Sequence, residues 1–154
     1  CALRGRALMS ALSADHGDRT WECTHLGGHR FAGNLVCLPD GIVYGRVSAS
    51  DGPRLAAEYV TGHLDPLLLR GRSAWPAPAQ VAEQWVRQRL GLTDIDGLDL
   101  VRADVAGENA TVDLAEADGT AHRVKLHSEQ LPPARAVSCA GDKVEEPLHW
   151  LPLG

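Results

Sequence analysis

Apolar side chains recur at helical spacing in three stretches of the chain. They cover residues 3–12, 50–63 and 79–90, and in each the apolar positions lie three or four residues apart. That spacing places them on one face of a helix. Gly62 lies near the end of the second stretch and Gly91 directly follows the third, and glycine often ends a helix because it adopts the left-handed conformation. The pattern therefore predicts three amphipathic helices.

Shorter apolar runs predict strands. Residues 19–25 alternate between apolar and polar, so that Trp21, Cys23 and His25 share one face. Apolar runs of strand length also cover residues 34–38, 42–47, 98–105, 110–114 and 121–126. The first two flank Pro39-Asp40-Gly41, whose residues favour a tight turn, and we expect an antiparallel hairpin there. The last three predict a β-meander.

The order helix, strand, loop, hairpin, helix is the thioredoxin-like order without its first strand. We predict an α/β fold in which residues 1–69 form a thioredoxin-like domain, incomplete at its N-terminus. Residues 70–78, rich in Arg, Gly and Pro, read as a linker. Residues 79–154 read as a small α+β subdomain of one helix and a meander, with a loop-like tail from Leu131. A right-handed strand-helix-strand unit needs a strand before the first helix, so we expect the natural chain to continue upstream of Cys1.

Composition and charge exclude several classes of protein. The 154 residues are 44% apolar and 23% charged, with a formal net charge of −5, and the chain contains no basic run. These features argue against nucleic acid and against an anionic membrane surface as partners. Apolar runs all fall short of the roughly 18 residues that a bilayer crossing needs. Four cysteines at wide spacing are not a secreted disulfide framework, and we expect a soluble cytoplasmic protein with reduced thiols.

The segment HLGGHRF, residues 25–31, carries the candidate chemistry. His25 and His29 are four residues apart, as in metal-binding helices, but Gly27 and Gly28 between them oppose a helix because each costs about 1 kcal/mol there. Adjacent glycines instead favour a tight loop. We predict a glycine loop that brings the two imidazoles toward one point.

Several segments resemble the sucrase/ferredoxin-like family, whose conserved half is a thioredoxin-like [2Fe-2S] ferredoxin. They are CALRGRAL at the start, WECTHLGGHRFAGN, LPDGIVYGRV and the late VSCAGDK. The resemblance implies a [2Fe-2S] cluster bound by two cysteines and two histidines, with Cys1 as the second cysteine ligand and His25 and His29 as the histidine ligands. The first cysteine ligand has no counterpart, and we expect it upstream of Cys1.

The resemblance implies an electron carrier rather than an enzyme with its own substrate. Such a carrier exchanges single electrons with a redox protein partner. Two thiolates on one iron and two imidazoles on the other raise the reduction potential relative to an all-cysteine cluster. Arg30, beside the histidines, is a candidate for stabilising the negative charge of the cluster. Cys139 and Cys23 are reserve candidates for the fourth ligand.

Other functions use some of the same residues. A Cys/His zinc site needs the same ligand types, and a cluster-free structural or interaction module needs none of them. The fold also suggests a thiol-disulfide enzyme, but the chain has no Cys-x-x-Cys. Glycoside hydrolysis would need a pair of carboxylates across a sugar cleft, and the sequence offers no such pair. We assign Cys37, which lies in an apolar run, to the core.

Overall fold

The computed structural model describes residues 2–24, 26–132, 134–136 and 144–154. Within these residues the helices and strands, in chain order, are α1 (Ala2–His16), β1 (Leu35–Cys37), β2 (Ile42–Tyr44), α2 (Asp51–Val60), β3 (Leu69–Arg72), α3 (Ala77–Leu90), β4 (Asp99–Ala106), β5 (Asn109–Ala115), β6 (Ala121–Gln130), β7 (Arg135–Ala136), β8 (Val144–Glu145) and β9 (Leu148–Pro152). Single turns of 3₁₀-helix cover Gly17–Arg19, His29–Phe31 and Ile95–Gly97. The fold is a mixture of helices and sheets, as predicted.

The strand pairs described are antiparallel. One sheet has the order β1-β2-β3, a second the order β4-β5-β6-β9, and β7 pairs with β8. In the first sheet Val36 faces Val43 across the predicted hairpin. In the second, Val112 faces Val124 in the predicted meander. The hairpin and the meander are therefore confirmed.

Helices α1 and α2 pack together over the first sheet. Leu8 and Leu12 of α1 and Leu55 of α2 are buried with Tyr44 of β2 in one hydrophobic cluster. A Cβ built on Gly52 would lie 2.4 Å from Leu8 Cδ1, which no real side chain tolerates. Glycine at this position therefore allows the two helices to approach closely.

Helix α3 covers one face of the second sheet. Ala82 and Val86 of the helix are buried with Val112, Leu114 and Leu126 of the sheet in a separate hydrophobic cluster. Trp75, Trp85 and Trp150 are partly buried and pack against this cluster, as expected of aromatic residues used for packing. Gly91 ends the helix in the left-handed conformation, with φ of 70°.

A buried ion pair connects α3 to its surroundings. Arg87 and Glu83 are both fully buried, and Arg87 Nε donates to Glu83 Oε1 over 3.1 Å. The same oxygen accepts from Arg72 Nε of β3 over 3.3 Å. Arg87 also donates to the main-chain carbonyls of Asp94 and Ile95, over 2.7 and 3.0 Å. The pair thus fixes α3 against β3 and against the segment that precedes β4.

The prediction of a strand over residues 19–25 is wrong. Residues 17–19 form a 3₁₀ turn, and residues 20–24 form no regular structure; His25 lies outside the described residues. Strands are stabilised by pairing with neighbours, and residues 20–24 have no strand partner among the described residues. The side chain of Trp21 is 80% exposed.

Two further segments differ from their predictions. Residues 70–72, predicted as linker from their composition, belong to β3, because main-chain pairing with β2 outweighs the flexibility of an Arg-Gly-Arg sequence. The tail, predicted as loop, contains β9, which pairs with the second half of β6. The division into two domains stays a prediction. Among the described residues, no helix has the length and apolar character that crossing a membrane requires.

Candidate metal centre

A two-glycine turn forms the middle of the HLGGHRF segment. Gly27 and Gly28 have φ values of 74° and 63°, in the left-handed region that side chains disfavour. The main chain then enters the short 3₁₀ turn His29–Phe31, where the amide of Phe31 donates to the carbonyl of Gly28 over 2.8 Å. The glycine loop predicted from the sequence is confirmed.

Two polar side chains brace this turn from outside. The Asn34 amide nitrogen donates to the carbonyls of Gly27 and Gly28, over 2.8 and 3.3 Å. The guanidinium of Arg70 lies against Gly28, and a Cβ built on that glycine would be 2.8 Å from Arg70 Nη1. Arg70 Nη1 also lies 3.5 Å from Asn34 Oδ1. The turn is therefore held by residues that lie six and 42 positions further along the chain.

Three arginines surround the ring of Phe31, at the end of the turn. The guanidinium carbons of Arg70, Arg30 and Arg46 lie 4.2, 4.7 and 5.4 Å from the ring centroid, within the range of cation–π interactions. Burial, and secondarily the charge of Arg30, lower the pKa of Arg70. This part of the molecule is strongly cationic, although the whole chain has a net charge of −5.

The predicted ligands fall largely outside the part of the chain that is described. Cys1, His25 and Cys139 lie outside the described residues, and for His29 only the main chain is described. Their convergence therefore stays a prediction. Within the described residues, no group of three or more His, Cys, Asp or Glu side chains has the arrangement of a metal site.

The remaining two cysteines have different environments. Cys23 is exposed and borders an apolar groove of about 480 Å³, described below. Cys37 is buried, and that burial raises the pKa of its thiol to about 12. A thiol that stays protonated is a poor metal ligand and a poor nucleophile. The assignment of Cys37 to the core is confirmed.

Residues 19–23, Leu26 and strand β1 line this groove. Leu8 and Leu12 of α1 and Tyr59 of α2 contribute to its lining, and Trp21 borders it. Among the described strands, β1 pairs with β2 on one side only, and Leu35, Val36 and Cys37 of β1 contribute to the lining of the groove. The groove is therefore lined in part by a strand that lies at the edge of its sheet among the described residues.

Comparison with known families gives a match in the N-terminal part of the chain. Residues 1–71 match the sucrase/ferredoxin-like family. The resemblance predicted from the sequence is thus confirmed for that part of the chain, and the HLGGHRF segment lies within it. Comparisons with curated proteins and with solved structures gave no match.

The described turn is compatible with the cluster that the sequence resemblance implies. The left-handed glycines turn the main chain between the two histidine positions without adding side chains, and the donor types, thiolate and imidazole, suit iron. The surrounding guanidinium groups suit a centre that becomes more negative when it accepts an electron.

Sequence reasoning missed three residues that support the loop. The sequence pattern places Asn34 in a strand and Arg70 in a linker, and it does not distinguish Arg46 from other arginines. A pattern of apolar positions does not reveal which distant side chain reaches a given turn. The adjacent glycines were the available signal, because a glycine leaves room for a distant side chain to pack against its main chain.

Replacing Gly28 by alanine is expected to displace the Arg70 guanidinium. The variant Gly27→Ala is a matched control, because Gly27 has a similar φ but nothing lies within 4 Å of its added Cβ. Both variants carry a left-handed alanine, which costs about 1–2 kcal/mol. We expect Gly28→Ala to cost about 0.5–1 kcal/mol more, the value of one cation–π contact.

Urea denaturation measures the two costs, and the NMR signals of the Phe31 ring report the displacement of Arg70. Equal costs for the two variants, with unchanged Phe31 signals, would contradict the bracing role of Arg70.

Proposed function

We propose that this protein is an electron carrier that holds a [2Fe-2S] cluster through Cys1, His25, His29 and a cysteine upstream of Cys1. The observation that carries the proposal is the left-handed Gly27-Gly28 turn within a segment that matches the sucrase/ferredoxin-like family. When bound, such a cluster supplies a one-electron couple. The protein residues set the potential of that couple and the access of a partner to it.

His25 and His29 act as neutral ligands in this proposal. A neutral imidazole in place of a thiolate leaves the centre less negative, and the added electron is easier to hold. The ring nitrogen that does not bind iron is able to take up a proton when the electron arrives, since histidine titrates near neutral pH. The reduction potential is therefore expected to depend on pH.

Arg70 and Arg46 contribute positive charge near the turn. Both contact Phe31, two residues beyond His29. Because opposite charges attract more strongly at low dielectric constant, these groups favour the reduced, more negative state. Arg70 is half-buried, so its charge is screened less by water than that of exposed Arg46.

We also propose that a strand from upstream of Cys1 completes a thioredoxin-like sheet in residues 1–69. Strand β1, which lies at the edge of its sheet among the described strands, and residues 20–23 line the same groove. A strand in that groove would pair with both and would satisfy their main-chain groups. This position agrees with the strand that a right-handed unit around α1 requires.

Anaerobic reconstitution with iron and sulfide tests the function. The samples are the 154-residue chain and a chain extended upstream to include the expected cysteine. We expect visible absorption of a [2Fe-2S] centre and two irons per extended chain, and loss of both in Cys1→Ser. Cys23→Ser is the control and is expected to keep the cluster, because Cys23 is only a reserve ligand.

Elemental analysis separates the alternatives. A colourless protein that retains zinc would identify a structural zinc site, and a protein without metal would leave an interaction module. Either result would contradict the proposed electron carrier. If Cys23→Ser loses the cluster and Cys1→Ser keeps it, then Cys23 is a ligand and Cys1 is not, which contradicts the proposed ligand set.

A further inference from the structure

Four arginines form a continuous surface beside the HLGGHRF turn. Arg30, Arg46 and Arg70 surround Phe31 at the distances given above. Arg4 of α1 joins them, because its Nη1 donates to the carbonyl of Ala32 over 2.8 Å. We call these four residues the arginine surface.

Within the described residues, three of these four arginines lack a carboxylate partner. In the described part of the chain, Arg4, Arg46 and Arg70 form no ion pair with Asp or Glu. Elsewhere in the described part of the chain Arg6 and Arg89 also form no such pair, whereas six arginines do: Arg19, Arg54, Arg72, Arg87, Arg102 and Arg123. The side chains of Arg4 and Arg46 are exposed. The arginine surface therefore has capacity for an anionic group from outside.

The positive charge of the arginine surface contrasts with the net negative charge of the whole chain. The chain carries 20 acidic and 15 basic residues, and a partner with negative charge is repelled by most of its surface. Charge complementarity confined to one patch orients an encounter and raises its rate. The patch lies beside the turn that the proposed function places at the cluster.

We propose that the arginine surface docks an acidic face of a protein partner, which would be the redox partner if the proposed function holds. Guanidinium groups bind carboxylates through two parallel hydrogen bonds, and arginine is enriched at protein interfaces. Nucleic acid is a poorer fit, because binding of a phosphate chain needs a longer basic track with aromatic rings open for stacking. Here the ring of Phe31 is surrounded by arginines.

Fluorescence anisotropy with a labelled deca-glutamate peptide tests this surface. The proteins are the unsubstituted chain, Arg46→Gln, Arg46→Lys and the control Arg102→Gln, which removes an exposed charge from β4. We expect Arg46→Gln to weaken peptide binding about two- to five-fold, Arg46→Lys to restore most of it, and Arg102→Gln to leave it unchanged. Binding is expected to disappear at about 0.5 M salt.

Two results would overturn the inference. Equal weakening by Arg46→Gln and Arg102→Gln would mean that the peptide senses only net charge. Inorganic tripolyphosphate could instead bind more tightly than the peptide and lose that binding in Arg46→Gln. This result would assign the surface to a phosphate ligand. The titration needs no cluster, so a chain that binds the peptide through Arg46 without holding iron supports the surface while the proposed function fails.

Discussion

Replacing His29 by cysteine lowers the reduction potential of the reconstituted protein by about 100 mV or more, a fraction of the gap between Rieske-type and all-cysteine centres. The cause is the exchange of a neutral imidazole for an anionic thiolate, which opposes the added electron. Protein-film voltammetry measures the reduction potential of His29→Cys and of the unsubstituted protein over a range of pH.

The same substitution flattens the pH dependence. Reduction makes the centre more negative and therefore raises the pKa of an iron-bound imidazole. At a pH between the imidazole pKa of the oxidised centre and that of the reduced centre, the unsubstituted protein takes up a proton when it is reduced. In that window the potential falls as pH rises, by up to about 59 mV per pH unit for one electron and one proton. His29→Cys removes one of the two groups that titrate.

Cys23→Ser is the control for this experiment, because it alters a thiol near the turn without altering the proposed ligands. We expect its potential and its pH dependence to match those of the natural chain. A potential unchanged by His29→Cys, in a variant that still holds two irons, would contradict ligation by His29.

Replacing Arg87 by methionine lowers the free energy of unfolding by about 3–5 kcal/mol, the usual cost of breaking a buried ion pair from one side. Methionine keeps most of the volume of the arginine stem and removes its charge. Glu83 then keeps only the longer bond from Arg72, and the carbonyls of Asp94 and Ile95 lose a donor. Urea denaturation measures the change.

Arg123→Met is the matched control. Arg123 pairs with Asp113 over 2.7 Å, but its side chain is 67% exposed, and such surface pairs contribute at most about 1 kcal/mol. The double variant Glu83→Leu/Arg87→Met removes both charges, and we expect it to be more stable than Arg87→Met. A cost for Arg87→Met no larger than that of Arg123→Met would refute the structural role of the pair.

Local patterns predicted much of the fold. The helix that ends at Gly91 and the three-stranded meander follow from spacing of apolar residues and from turn residues near them. The hairpin around Pro39-Asp40-Gly41 was predicted for the same reason. Each of these features depends on residues that are close in sequence.

Pairing between distant segments was less predictable. Strand β9 has the short sequence LHWLP, and nothing in it identifies β6 as its partner. Residues 20–24 alternate like a strand, yet alternation alone does not supply a neighbour. At the candidate site the glycine turn was predicted, whereas the contacts of Arg70 with Gly28 and Phe31 were not, because they depend on how β3 packs beside the turn.

The most direct test of the central claim is low-temperature EPR of the dithionite-reduced, reconstituted protein, with nitrogen hyperfine coupling measured by electron spin-echo modulation. We predict a rhombic signal with two strongly coupled nitrogens, one of which disappears in His29→Cys. A reduced [2Fe-2S] signal without strongly coupled nitrogen, or no signal from a protein that contains zinc, would contradict histidine ligation by the HLGGHRF segment.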